Sequence, residues 1–170
     1  MVKSLSFLML LFSLTLFFGC SDNINKPLAN NQNIALKTTD NKIVTLKKTE
    51  NGFLYDNKSL LLAFFTTSCT PCDVQIPNLN NLQNRYQNDL NVISLIIGDS
   101  SLEEAQNFVS QNGVDFTVTF DKNNFRLSTA LGNITSVPYI AIYDKNGAYV
   151  TDYAGAVPEE MIEADLKRIF

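Results

Sequence analysis

The stretch LLLAFFTTSCTPCDVQIPNLNNLQNRY, Leu60 to Tyr86, runs from an unbroken apolar segment, Leu60 to Phe65, through Thr66, Thr67 and Ser68 into Cys69-Thr70-Pro71-Cys72. Val74, Ile76, Leu79, Leu82 and Tyr86 then recur at helical spacing, with Pro77 among them. A short continuous apolar run bounded by polar residues predicts a buried strand, and the later periodicity predicts a helix. A strand therefore ends, and a helix begins, at a pair of cysteines. Pro71 suits the first helical turn, where a missing N–H loses nothing. Pro77 is expected to kink the helix about one turn past Cys72.

That placement carries chemistry, because a thiol is a useful nucleophile only as its thiolate. Unpaired N–H groups and partial positive charge at a helix start favour that anion. Cys69 is the candidate reactive sulfur. Cys72, one turn further in, is the candidate buried resolving thiol, placed to attack a mixed disulfide formed on Cys69. Two blander readings exist: a structural disulfide, or half of a zinc site. A bridge across so short a loop constrains little chain entropy. With 3 Cys and no His in the sequence, the residues to complete a zinc tetrahedron are missing.

The remaining composition narrows the function further. The 170 residues are 45% hydrophobic, enough for one domain with an ordinary core. Net charge is −4, with the basic residues scattered, so no nucleic-acid partner is expected. The absence of His excludes proteases of the triad type and His-ligated metal sites. Asp73 follows Cys72 where covalent haem attachment needs His. No cofactor and no resident metal are expected.

At the N-terminus, Lys3 followed by the apolar run from Leu5 to Phe18 has the form of a signal peptide over residues 1–19. The run ends in Phe17-Phe18-Gly19-Cys20, which resembles a bacterial lipobox, with Gly19 in place and Phe17 where Leu is usual. Cys20 is thus the expected lipidation site, which leaves Cys69 and Cys72 as a matched pair. Ser21 to Asn33 is rich in Asn and poor in large apolar residues, so residues 20–33 are expected to form a tether. As a flexible chain it would reach about 20 Å from the membrane.

Residues 34–170 are expected to form the folded domain. Ile34–Lys37 and Ile43–Leu46 alternate like a hairpin, and turns at Asn51-Gly52 and Asp56-Asn57 precede the central strand. Val92–Ile97 is a further buried strand. Ser101-Leu102-Glu103-Glu104 is a capping box opening a helix that Gly113 closes. A short strand over Phe116–Phe120, a helix over Asp121–Leu131 and a hairpin from Tyr139 to Tyr153 follow. Pro158 opens a last helix with Lys167 and Arg168 in its final turn. Three strands followed by alternating helices and strands predict an α/β sheet covered on both faces.

Taken together, these residues resemble the thioredoxin fold, and within it the TlpA/ResA-like branch of thiol-disulfide oxidoreductases. The marks are the apolar strand into Cys69-Thr70-Pro71-Cys72, Ile76-Pro77-Asn78-Leu79, the inserted helix over Ser101–Asn112, and Val137-Pro138 ahead of a hairpin with Asp144 and Gly147. The resemblance implies an N-terminal β-hairpin, the inserted α/β element and a cis Pro138 facing the cysteine pair. It also implies that the Val137 backbone pairs with substrate, beside Ser68, Thr70 and Pro71. The implied partners are exported proteins bearing thiols or disulfides and a membrane thiol relay, with the protein a monomer lipid-anchored at the periplasmic face of a bacterial membrane.

This sequence departs from the family pattern at four places. Ser68 stands where a Trp usually precedes the first cysteine. Gln75, on the helix face of Cys72, replaces the branch's Glu, and Ala63 replaces the buried Asp of thioredoxin itself. Both usual homes of the proton-handling carboxylate are empty. The loop from Gly132 to Pro138 is a residue longer than usual. Thr70-Pro71 supplies no charge to stabilise a thiolate, which points to a dithiol reductant. Disulfide oxidase or isomerase activity is the alternative within the same chemistry, and Cu(I) delivery is the alternative from another class.

Overall fold

The computed structural model describes residues 28, 29 and 32–170. The signal peptide, Cys20 and most of the tether lie outside the described residues. Twelve elements follow in order: β1 (Asn33–Lys37), β2 (Ile43–Lys48), β3 (Phe53–Leu54), β4 (Ser59–Phe65), α1 (Thr70–Arg85), β5 (Leu90–Ile96), α2 (Leu102–Asn112), β6 (Thr117–Thr119), α3 (Lys122–Ala130), β7 (Tyr139–Tyr143), β8 (Tyr149–Ala154) and α4 (Glu159–Leu166).

They form a three-stranded antiparallel sheet, β1-β2-β3, and a five-stranded mixed sheet ordered β6-β5-β4-β7-β8. β4 is the central strand, parallel to β5 on one side and antiparallel to β7 on the other. Its unbroken apolar sequence follows from that position, since a strand covered on both faces has no polar side to show. Leu61, Ala63 and Phe65 point into a core shared with α1, α2 and α4. Leu60, Leu62 and Phe64 point into a second core with the small sheet and Leu127 of α3. Each fully buried leucine contributes about 1.5–3 kcal/mol relative to an exposed one.

The small sheet obeys the same logic with one wet face. Ile34 and Leu36 of β1, with Val44 and Leu46 of β2, are buried, while the residues between them are exposed. The capping box on α2 forms reciprocally: Glu104 N donates to Ser101 Oγ at 3.2 Å and Ser101 N donates to Glu104 Oε2 at 2.7 Å. Gly113 closes that helix in the left-handed conformation at φ 58°. The architecture is the expected α/β one, with hairpin sheet and inserted α/β element.

Three local expectations are corrected. β3 is an additional two-residue strand between the turns at Asn51-Gly52 and Asp56-Asn57, held by pairing to β2. Val74 does not belong to the buried stripe of α1; it is 66% exposed, and the stripe runs through Cys72, Gln75, Ile76, Leu79 and Leu82. The helix expected around Pro77 is present and runs from Thr70 to Arg85. Pro77 is exposed, so water can satisfy the carbonyl its missing N–H leaves free. Lys167 and Arg168 lie just beyond α4, whose last residue is Leu166.

Candidate active site

Cys69 is the N-cap of α1, with an extended backbone at φ −125° and ψ 92°, and it contributes no side-chain cap. Thr70 and Pro71 open the helix, and Cys72 N donates to Cys69 O at 2.9 Å across that turn. Cys69 and Cys72 are joined in a disulfide with their Cα atoms 5.2 Å apart. The first-turn N–H groups therefore point to the end of α1 that carries Cys69, where they favour an anionic sulfur. Asp73 is an acidic residue of the same turn, on the exposed side.

The two sulfur-bearing residues are unequally buried. Cys72 is fully enclosed, among Ala63, Ile76 and the rest of the α1-side core. Cys69, the candidate reactive sulfur, retains only 9% exposure in the disulfide state. Ser68, Thr70 and Pro71 around it are exposed.

Val137 and Pro138 arrive from the neighbouring strand. Phe64 pairs with Tyr139, so Pro138 lies beside the end of β4 from which the cysteine loop departs. The Val137–Pro138 peptide bond is cis. Val137 is half-buried and packs against both cores, including the one that contains Cys69 and Cys72. Pro138 O accepts a 2.8 Å hydrogen bond from Gly155 N. The central strands β4 and β7 thus bring the cysteine loop, Val137 and Pro138 to one end of the sheet.

Gln75 completes the inner wall. It is fully buried, and its Oε1 accepts a 2.8 Å hydrogen bond from Val157 N, while Asn78 Nδ2 donates to Val157 O at 3.2 Å. These residues fasten α1 to the β8–α4 connection, and Gly155 in the same connection is fastened to Pro138. Ala63 is enclosed beside the pair and offers no proton-handling group. The sequence names Asn78 only as part of the Ile76–Leu79 motif, and the Gly155–Val157 loop carries no sequence reading. The available signal was the lone Gly155 after a strand, which takes φ 90°.

Among the described residues, no group of three or more Cys, His, Asp or Glu side chains could hold a metal ion. None of the cysteine-pair residues lines the cavity of about 810 Å³ that opens near the end of β5, between Ile96, Ser101, Phe120 and Phe125.

The Redoxin profile matches residues 28–169.

The chain belongs to the Redoxin family.

Among relatives, it is 30% identical over 112 residues to the thiol-disulfide oxidoreductase ResA of Bacillus thuringiensis (strain Al Hakam). That match covers 66% of this chain and 64% of the relative's length. Among solved structures, StoA from Bacillus subtilis aligns with a TM-score of 0.63 at 15% identity, covering 81% of this chain and 98% of StoA. DsbF from MTB aligns with a TM-score of 0.65 at 18% identity, covering 85% of this chain and 100% of DsbF. At those identities the two structures speak for a shared thioredoxin-like fold.

Proposed function

We propose that this chain is an extracytoplasmic thiol-disulfide oxidoreductase, held to the periplasmic face of a bacterial membrane through a lipidated Cys20, with residues 34–170 as its working domain. The observation that carries the reading is the Cys69–Cys72 pair closed across the first turn of α1, with Cys69 retaining 9% exposure and Cys72 fully enclosed. A purely structural bridge over so short a loop stabilises little.

In the reducing direction, the Cys69 thiolate attacks a disulfide sulfur of an exported protein and displaces one substrate thiolate. Cys72 then attacks Cys69 in the mixed disulfide, releasing the second substrate thiolate and closing the intramolecular bond. Two electrons pass to the substrate, and a membrane thiol relay returns two electrons to the pair. Ser68, Thr70, Pro71 and the backbone of Val137 form the surface offered to the incoming chain. The protein acts as a monomer without a cofactor.

Thr70 and Pro71 bring no charge to the pair, which supports a reductant rather than a strong oxidant. Cysteines of apocytochrome c awaiting haem are one substrate class for such a reductant. Equilibration with glutathione tests the direction: a potential well below that of the strong periplasmic oxidants is expected, and a value near −120 mV would overturn it.

A further inference from the structure

We propose that Gln75 Nε2 donates a hydrogen bond to the Cys72 sulfur once the disulfide opens, catching the thiolate that Cys72 becomes. Gln75 is the one amide on the buried face of α1, three residues after Cys72. Residues so spaced on a helix share a face, with Cβ atoms about 5–6 Å apart. Its Oε1 is committed to Val157 N. Its Nε2 is buried and has no hydrogen-bond partner among the described residues while the disulfide is closed. A buried, unsatisfied donor is an uncommon feature that calls for a reason.

The reaction supplies one. A thiolate of a partner dithiol forms a bond to the Cys69 sulfur as the Cys69–Cys72 bond breaks, and Cys72 leaves with the electron pair. The partner's second thiolate then attacks the partner sulfur of the mixed disulfide and releases Cys69. The partner ends as a disulfide, the pair as a dithiol, and the two protons go to the released sulfurs or to water. Cys72 becomes anionic in an apolar enclosure formed by Ala63, Ile76 and Leu79, where an uncompensated charge is costly. A sulfur that has gained charge accepts the idle Nε2–H better than a disulfide sulfur does. The orphaned donor of the oxidised state is thus a partner held ready for the reduced one.

This inference rests on the reading that Cys69 takes the incoming thiolate. Nuclear magnetic resonance of the wild-type protein before and after reduction by a phosphine tests it directly. The Gln75 side-chain amide proton is expected to move downfield on reduction; an unmoved resonance overturns the proposal. Gln75→Leu is expected to slow opening of the disulfide by dithiothreitol about tenfold. The reduction equilibrium should fall by a similar factor, lowering the potential by about 30 mV. Asn78→Ala loosens the same loop and keeps the donor, so its rate and potential should stay within about twofold of wild type. Equal effects in both variants, or none in Gln75→Leu, overturn the proposal. Failure of dithiothreitol to open the wild-type bond would instead sink the exchange reading, while the phosphine experiment still decides on Gln75.

Discussion

Gln75 and Val157, 82 residues apart in sequence, are joined by a 2.8 Å hydrogen bond from the Val157 N–H to the Gln75 side-chain oxygen. The helix that carries Cys72 is thereby tied to the loop whose Gly155 N–H holds the carbonyl of Pro138. The two sides of the site are thus supported from behind by one short connection.

Cutting that tie should cost stability. Gln75→Ala leaves Val157 N without its acceptor and removes buried volume. A loss of about 1–3 kcal/mol is expected from the unpaired group, read as a lower urea midpoint with an unchanged slope. A loss below a few tenths would mean that the loop holds itself.

The central strand should be the least forgiving element. Leu62 is fully buried between β5 and β7, so Leu62→Ala should cost about 2–5 kcal/mol. Val74→Ala, on the exposed side of α1, should change stability by no more than about 0.5 kcal/mol. The contrast is checked by denaturant unfolding of both variants.

That contrast also marks how far the sequence could be read. β4 and the start of α1 were legible because an unbroken apolar run, two cysteines and Pro71 agree on one boundary. The capping box of α2 was legible because both partners lie within four residues. Val74 misled because one apolar residue in a partial stripe cannot reveal which face its helix buries. β3 escaped because two residues carry no period, and pairing to β2 makes them a strand. The placement of Pro138 beside the end of β4 was available only through family resemblance. Gln75 stands out in the sequence as a departure from the branch, while its bond to Val157 depends on the closed fold.

Acid should loosen the packing of α4 on α1. The Glu163 carboxyl is held down at about 2 by the Tyr86 hydroxyl at 2.5 Å, Arg85 at 2.7 Å and Lys167 at 3.2 Å. Its folded value lies below the ordinary one of 4.5. The unfolded chain therefore binds the proton first, so this contribution is complete above that ordinary value and is lost as pH falls towards about 2. Unfolding free energy measured across that window should decline with falling pH, and Glu163→Gln should flatten the decline. An identical slope in the variant would remove Glu163 from the account.

The division of labour between the two sulfurs is the centre of the functional reading, and trapping measures it most directly. Cys72→Ser incubated with exported proteins in their disulfide form should accumulate mixed disulfides on Cys69, visible by non-reducing electrophoresis and identified by mass spectrometry. Cys69→Ser should trap little, because its remaining thiol is enclosed. Equal trapping by Cys69→Ser, or none by Cys72→Ser, would contradict the assignment of Cys69 as the sulfur that meets the substrate.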